Sequence, residues 1–272
     1  MNNLIRHLKF ALIPKGPILD IGSGGAPFWR ANVLLDRYLD NDLQRPGHLI
    51  KDRPLICGDI QALPFLDNSF NFVHCSHVLE HIDKPDIAVK EMMRVSKAGY
   101  IETPSALHEL ILPFYFHRWL VSEENNTLFF REKPKKTEEY IYNNLQYLLT
   151  TDKIKKYEEI LFIKYFWRDK IDLKIIKHLN PIEAFNMEQE QKELLKQTQG
   201  KLKAIIKQLS CNLYKYRFDY HELLACPKCQ RKVNYGQNKI TCENCLLAYP
   251  IINNIPIMLV EKAEQIEILQ EH

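Results

Sequence analysis

The chain has 272 residues, of which 46% are hydrophobic and 26% charged, as in an ordinary folded protein. This length can bury one α/β core and a small second domain, and no apolar run approaches the roughly 20 residues that span a bilayer. The net charge of +3 indicates no particular partner, and the apolar stretch after the N-terminus is too short for a signal-peptide core. Seven cysteines, four of them in metal-ligand spacing, favour a reducing cytoplasm over a secreted disulfide scaffold.

Residues 1–182 alternate short apolar runs with helical stretches, which predicts an α/β domain. The predicted core strands cover residues 18–21, 33–35, 55–57, 70–73 and 100–102. Asp83 is predicted to cap a helix that has Pro85 in its first turn and runs to about Ser96. Residues 118–121 and 127–131 flank a polar turn and predict an antiparallel hairpin.

The remainder of the chain divides into three parts. Residues 183–216 carry an apolar face at helical spacing and predict a helical linker; residues 217–262 predict a small β-rich metal-binding domain, and residues 263–272 a charged helical tail. Residues 131–217 hold 19 basic against 12 acidic side chains, so this segment could present a basic face to a phosphate-bearing substrate or to RNA. The plainer interpretation is a solvated surface coated with lysine.

Four cysteines near the C-terminus have the spacing of a metal site. They form two C-x-x-C knuckles separated by twelve residues, Cys226 with Cys229 and Cys242 with Cys245. A short β-hairpin can bring the two pairs to the four corners of a zinc tetrahedron. Because four thiolates leave zinc no open coordination position, the predicted zinc is structural rather than catalytic.

A glycine-containing loop, Asp20-Ile21-Gly22-Ser23-Gly24-Gly25, follows the first predicted strand. Glycines there let the backbone turn tightly and approach a ligand closely. Asp36 ends the second strand, where a carboxylate can bind ribose hydroxyls, and Asp59 and Ile60 follow the third, where they can meet an adenine ring. These positions predict a nucleotide-cofactor site at the carboxyl ends of the strands.

With the run Ser76-His77-Val78-Leu79-Glu80-His81-Ile82 added, residues 17–104 resemble the core of the Rossmann-like S-adenosylmethionine-dependent methyltransferases, in the type 11 group that includes the ubiquinone-biosynthesis O-methyltransferases. The resemblance implies an α/β fold with a seven-stranded, mostly parallel sheet and the cofactor across the strand ends. It implies that Asp20, Gly22 and Gly24 line the methionine part, Asp36 the ribose, Asp59 and Ile60 the adenine, and Ser76 and His77 the sulfonium.

Two features depart from the family pattern. Ala26 stands where a third loop glycine is expected. Only eight residues separate Gly24 from the second strand, so the first helix must shrink to about one turn around residues 27–29. Asp40 or Asp42 could therefore hold the ribose in place of Asp36. An NAD-binding domain is disfavoured because the loop lacks the full G-x-G-x-x-G spacing.

Methyl transfer to a hydroxyl needs a group that accepts its proton. The candidates near the strand ends are His81 first, Glu102 second and then His77, while His117 and Trp119 could cover the acceptor, although a core position is favoured for Trp119. The fourth strand lacks the [Asn/Asp]-Pro-Pro motif of enzymes that methylate amide or amino nitrogens, which favours an oxygen acceptor. The run 77–81 also matches the H-x-x-E-H pattern of inverted zinc peptidases, but its place after strand four of a cofactor domain disfavours that interpretation.

Residues 221–260 resemble the small zinc-binding activator proteins that partner tRNA, rRNA and release-factor methyltransferases. The resemblance rests on Leu223 to Cys229, the second knuckle, and the segments 247–251 and 255–259. It implies a fused zinc ribbon that covers an apolar surface of the methyltransferase and stabilises it in cis. The predicted protein is a cytoplasmic S-adenosylmethionine-dependent methyltransferase with structural zinc, acting on an oxygen of a small-molecule, lipid or glycan acceptor. The alternatives are an RNA methyltransferase and an inert scaffold that recruits a partner through its zinc domain.

Overall fold

The computed structural model describes residues 10, 13, 16–40, 48–111, 114, 116–133, 161–176 and 219–266. The predicted helical linker 183–216 and the candidate ribose ligand Asp42 lie outside the described residues. Within these ranges, the structure contains no helix long and apolar enough to cross a membrane.

The main sheet confirms the α/β prediction. It is built from β1 (Ile18–Ile21), β2 (Val33–Asp36), β3 (Leu55–Gly58), β4 (Phe72–Ser76), β5 (Ala98–Pro104) and β8 (Phe162–Arg168). These strands lie in the order β3-β2-β1-β4-β5-β8, and β8 alone among the six runs antiparallel to its neighbour. All residues of β1, β2 and β3 are buried, as expected for strands of a parallel sheet covered on both faces. The order reverses direction between β1 and β4, where ligands of such sheets bind.

Two helices are described, α1 (Pro85–Val95) and α2 (Ala106–Ile111). The predicted cap was one residue off, because Lys84 occupies the N-cap position and no side chain caps the helix there. Asp83 forms an ion pair with Arg118 instead. The fixed φ of Pro85 suits the first turn, where its missing N–H costs no hydrogen bond.

The predicted hairpin is confirmed as β6 (Trp119–Glu124) and β7 (Thr127–Glu132), with β9 (Asp172–Ile176) parallel to β7 in a second sheet. Asn125 and Asn126 join the strands with φ of 51° and 60°. Such a pair of left-handed residues makes the turn whose twist matches that of the strands.

The C-terminal region forms the predicted β-rich domain. Its strands are β10 (Asn234–Tyr235), β11 (Lys239–Cys242), β12 (Leu247–Ile252), β13 (Ile255–Met258) and β14 (Glu264–Gln265). A short 3-10 helix covers residues 260–262, just before the predicted helical tail. The described residues of that tail, 263–266, contain no helix and instead include β14, which pairs with β12.

Strand β13 joins this ribbon to the main sheet. It lies parallel to β3, with Ile257 opposite Cys57 and Met258 opposite Gly58. A second junction follows β3, where Leu66 N–H donates to Leu223 O at 2.8 Å and Ala225 N–H to Pro64 O at 3.0 Å. Seven consecutive strands from β13 to β8 therefore form one continuous sheet, and one of them comes from the ribbon.

Candidate functional site

The glycine loop after β1 turns back over the end of β2. Gly22 and Gly24 have φ of +67° and +48°, in the left-handed region that glycine adopts without strain. The N–H groups of Gly22 and Ser23 donate to Leu35 O at 2.8 and 3.3 Å. A Cβ on Gly22 would lie 2.2 Å from Val78 Cγ2, so the loop also needs glycine for close packing. The predicted single turn replaces the first helix, with Ala31 N–H donating to Phe28 O at 3.0 Å.

Asp20 is buried and both of its carboxylate oxygens bind protein groups. Phe28 N–H donates to Oδ2 at 2.7 Å, and His74 Nδ1 lies 2.7 Å from Oδ1. The His74 ring stacks between Phe28 and Tyr100, with centroids 4.4 and 5.4 Å away. Asp20 therefore fixes the shape of the loop on which a ligand would rest. Sequence reasoning did not find this pairing, because His74, the third residue of β4, is 54 residues from Asp20.

Ser23 supplies a test of whether the loop fits a cofactor. Its hydroxyl is buried and has no hydrogen-bond partner among the described residues. Buried polar groups are normally paired, so an orphaned hydroxyl within a left-handed loop is suited to a polar ligand group. The methionine carboxylate and amine of S-adenosylmethionine are groups of that kind, and the residues present fit this cofactor.

The carboxylates after β2 and β3 are held by the backbone and by one arginine. Asp36 accepts hydrogen bonds from Gly24 N–H at 3.1 Å and Tyr38 N–H at 3.0 Å. Asp59 accepts from Gln61 N–H at 2.8 Å and forms an ion pair with Arg37. Asp36 and Asp59 are thereby placed on neighbouring strands at the same edge of the sheet.

Three further predicted positions complete this edge. Ile60 is buried in the hydrophobic core, and Asp40 is exposed. Ser76 ends β4, half-buried and paired in register with Glu102 of β5. The structure thus brings the predicted cofactor residues of β1 to β4 to one side of the sheet, at the strand carboxyl ends.

His77 follows β4 in the left-handed region, with φ of 56°, which is uncommon for a residue other than glycine. Its Nδ1 lies 3.5 Å from Glu80 Oε1 and its Nε2 lies 3.8 Å from Glu102 Oε1. Burial by itself would lower the pKa of His77, but the carboxylate of Glu80 and then that of Glu102 outweigh it, and the pKa is raised. A strained backbone that aims a half-exposed imidazole between two carboxylates is a common feature of catalytic sites.

The two carboxylates beside His77 are themselves held in place. Glu80 is almost fully buried and accepts a hydrogen bond from Thr103 Oγ1 at 3.1 Å. Burial would raise the pKa of Glu80, yet the three neighbouring histidines lower it, so the carboxylate is charged. Tyr100 O–H donates to Glu102. The structure therefore brings the three predicted catalytic candidates, His77, His81 and Glu102, around one point at the ends of β4 and β5.

His81 lies on the far side of Glu80, with Nε2 3.8 Å from Glu80 Oε1. Its ring stacks on Phe116 and meets the ring of His117 edge-on, at centroid distances of 5.4 and 4.6 Å. Burial lowers the pKa of His81 despite the nearby Glu80. Trp119 is a core residue as expected and donates from Nε1 to Ile82 O at 2.8 Å.

Sequence reasoning missed the support behind His117. Its Nδ1 shares a hydrogen bond with buried Glu109, and Lys133 Nζ lies 3.0 Å from the other oxygen of that carboxylate. No sequence motif includes Glu109 or Lys133. The two residues lie in α2 and just after β7, and only the folded structure brings them next to His117.

The four cysteines come together as their spacing predicted. Their sulfur atoms all lie within 4.8 Å of one another, and the Sγ atoms of Cys229 and Cys242 are 3.6 Å apart. Four sulfurs about 2.3 Å from a tetrahedral zinc would be about 3.8 Å apart. The residue after each knuckle, Gln230 and Leu246, has the same left-handed conformation, with φ of 60° and 53°. The two knuckles are thus copies of one turn, and their donor set fits zinc.

Known proteins match parts of this chain rather than its whole length. The family model described as "Methyltransferase domain" matches residues 19–101, which is less than a third of the chain. A UPF0434 protein of Nitrosococcus oceani is 44% identical over 48 residues, which cover 17% of this chain and 81% of that protein. The demethylmenaquinone methyltransferase of Renibacterium salmoninarum is 48% identical over 48 residues, but the chain spans only 20% of its length.

Among solved structures, a methyltransferase-like protein of Bacillus halodurans is 24% identical over 38% of this chain and 51% of its own, with a TM-score of 0.29. A second match is to a complex between the Trm112 methyltransferase activator of Haloferax volcanii and a protein described as a methyltransferase. The matched chain of that complex is 19% identical, over 38% of this chain and 54% of its own length, with a TM-score of 0.29. Because these structural matches are partial and weak, the description of the fold rests on the strand order given above. The family match and the sheet confirm the predicted methyltransferase domain, followed by a zinc-ribbon-like segment.

Proposed function

Because the chain belongs to the UPF0434 family over a segment of 48 residues and carries an S-adenosylmethionine-dependent methyltransferase domain at residues 19–101, we propose that it methylates an oxygen atom of a small-molecule, lipid or glycan acceptor. The observation that carries this proposal is the position of His77, between the carboxylates of Glu80 and Glu102 at the end of β4. An acceptor hydroxyl must lose a proton, and this arrangement offers a group to receive it.

The cofactor would rest on the glycine loop. Gly22, Ser23 and Gly24 would hold its methionine part, Asp36 its ribose, and Asp59 with Ile60 its adenine, while Asp20 holds the loop itself. S-Adenosylmethionine, when bound, supplies an electrophilic methyl group that an acceptor oxygen takes in line, with the bonding electrons left on sulfur. Ser76 and His77 end β4 beside the place where that methyl group would lie.

Among the three candidate bases, the geometry favours His77 over His81 and Glu102. His77 is half-exposed, and with its Nδ1–H directed at Glu80 Oε1, 3.5 Å away, Nε2 would keep a lone pair that can take the acceptor's proton. The Glu102 carboxylate, 3.8 Å from Nε2, would then stabilise the imidazolium that forms. His81 is enclosed by Phe116 and His117, and Glu102 already accepts the hydroxyl of Tyr100. We assign His77 to proton acceptance, with Glu80 and Glu102 orienting its ring as the third group of a catalytic triad does.

The ribbon would stabilise the domain through zinc bound to Cys226, Cys229, Cys242 and Cys245. Zinc binding is coupled to folding in such knuckles. Its effect would reach the cofactor edge because β13 pairs with β3, and because Glu261 lies 2.8 Å from Arg37, which in turn pairs with Asp59. The proposed cis-acting role therefore has a physical path from the metal to the adenine side of the site.

Calorimetric titration of the zinc-loaded protein with S-adenosylmethionine tests the cofactor half of the proposal. Micromolar binding that Asp59→Ala loses would support it. Asp67→Ala is the matched control, since this carboxylate also follows β3 but pairs with Arg94. Absence of binding by wild type would leave only an inert scaffold.

An acceptor screen with His77→Asn then tests the catalytic half. The variant should lower kcat by about 10²- to 10⁴-fold while the dissociation constant of S-adenosylmethionine stays unchanged. The second candidate acceptor is RNA, favoured by the excess of basic residues in 131–217. RNA binding that weakens steeply with salt, together with methylated RNA as product, would replace the small-molecule assignment.

A further inference from the structure

Besides its place next to His77, Glu80 of the H-x-x-E-H run belongs to a second group of side chains, with His81 and His117. Glu80, His81 and His117 each offer a ligand atom, and these atoms all lie within 4.8 Å of one another. His117 comes from the segment before β6, 36 residues beyond His81, so the fold and not the local sequence creates the group. Among the described residues, this is the one set of possible metal ligands besides the four cysteines.

Two buried polar atoms of this group have no hydrogen-bond partner among the described residues, Glu80 Oε1 and His81 Nδ1. Glu80 is 1% exposed, and its Oε1 lies between the rings of His77 and His81, at 3.5 and 3.8 Å. A carboxylate oxygen that accepts no hydrogen bond at this depth has lost its water without gaining a donor in exchange. A bound cation would provide the missing partner.

His117 carries the support that metal-binding histidines usually have. Its Nδ1 is occupied by Glu109, which leaves Nε2 as the ring nitrogen for a metal. Lys133 holds the same carboxylate from the other side, at 3.0 Å, and donates to Phe114 O at 2.7 Å. A carboxylate that orients the imidazole and fixes its tautomer is typical behind histidine ligands.

We propose that Glu80, His81 and His117 bind a first-row divalent cation such as Mn²⁺ or Zn²⁺, which holds the oxygen of the methyl acceptor. Two imidazole nitrogens and one carboxylate oxygen suit such ions and leave coordination positions open. Ligands about 2.0 Å from a tetrahedral ion lie about 3.3 Å apart. Glu80 Oε1 and His81 Nε2 are 3.8 Å apart, so binding would draw this pair slightly closer. The open positions are what distinguish this site from the closed four-cysteine site.

The role in acceptor binding rests on the function proposed above, but the cation site does not. His77, whose Nδ1 is 3.5 Å from Glu80 Oε1, places the candidate base next to the cation. A cation that binds an acceptor hydroxyl polarises it and fixes its position. This chemistry favours acceptors with two adjacent oxygens, such as a catechol, a vicinal diol or a hydroxy acid, because these can chelate an open metal site.

The direct experiment is metal binding by the zinc-loaded, full-length protein in the absence of any acceptor. Mn²⁺ is the first probe, because thiolate sites prefer softer ions, and loss of the free Mn²⁺ electron paramagnetic resonance signal reports its binding. We expect one Mn²⁺ per chain, at least tenfold weaker binding in His81→Asn and His117→Asn, and wild-type binding in His108→Asn. His108 is the matched control, since it is equally buried nearby but lies outside the ligand group.

Co²⁺ added to the metal-free wild type gives a second readout that does not depend on any variant folding. The expected result is two equivalents, one with the intense absorption of thiolate-to-metal charge transfer and one with weak visible bands alone. A single thiolate-bound equivalent, together with no Mn²⁺ binding, overturns the cation site. Cation binding without any binding of S-adenosylmethionine would instead keep the site and defeat the proposed methyl transfer.

Discussion

The ribbon and the end of β4 both gather metal-binding side chains, but they do so in opposite ways. The four cysteines lie within 20 residues of one another, and two copies of one short turn present them. Glu80, His81 and His117 are brought together by β4 and by the segment leading into β6, and they depend on the packing of the whole sheet. A constellation set by local spacing is visible in a sequence, whereas one set by tertiary packing appears only in the fold.

The largest expected effect is that of removing the metal from the ribbon, which should destabilise the sheet as well. Cys226→Ser should abolish zinc binding and lower the melting temperature of the whole chain by about 10 °C or more, because metal binding supplies folding free energy. Metal analysis and calorimetric melting measure both effects. Lys228→Ser, an exposed change within the same knuckle, should leave both unchanged. A Cys226→Ser protein that melts like wild type would show that the ribbon folds independently of the sheet.

The junction between the regions can be tested without touching the metal. Met258 is fully buried opposite Gly58, so Met258→Ala should destabilise the protein by about 2–5 kcal/mol through lost burial and a cavity. Chemical denaturation of the zinc-loaded protein measures this difference. Val260→Ala, two residues further on and exposed, should cost less than about 0.5 kcal/mol. Equal effects of the two changes would mean that β13 contributes little to the sheet.

The cofactor site depends on the backbone conformation of the glycine loop. Gly22→Ala should cost about 1–3 kcal/mol, because its φ of +67° is left-handed and its new Cβ would contact Val78. It should also weaken S-adenosylmethionine binding measured by calorimetry. Combining it with Val78→Ala removes the steric part and should recover part of the loss, while the conformational part remains. A double variant no better than Gly22→Ala would assign the whole effect to the backbone.

The smallest expected effect concerns the ion pairs that link the ribbon to the cofactor edge. Arg37→Ala removes partners of both Asp59 and Glu261, which are partly exposed, so it should cost no more than about 1 kcal/mol of stability. Binding of S-adenosylmethionine should weaken by only a few fold. Lys170→Ala offers a comparison at another exposed ion pair, which Lys170 forms with Asp172. Loss of binding comparable to that in Asp59→Ala would make Arg37 part of the cofactor site itself.

Much of the fold could be predicted because its signals are local. The buried strands, the Asn125-Asn126 turn, the shortened helix after Gly24 and the two cysteine knuckles each follow from a few consecutive residues. The pairing of β13 with β3 could not be predicted from spacing, because it joins residues 200 positions apart. The link from Asp20 to His74 and the pair of Glu109 with His117 share this reason, since both join separate elements. The predicted helix cap failed differently: Asp83 found a charged partner in Arg118, and the helix began without a side-chain cap.

The position of β13 has a consequence for the risk of aggregation while the chain is being synthesised. Strand β3 would be an edge strand if the ribbon were absent, and an unpaired parallel edge of buried apolar residues is a template for aggregation. The strand that covers it emerges from the ribosome about two hundred residues later. The edge of β3 therefore stays uncovered while the residues between the two strands are made, and because both strands belong to one chain, each β3 is followed by a β13 that can pair with it. Evolutionary separation of the two parts would expose that edge in every chain made without its partner.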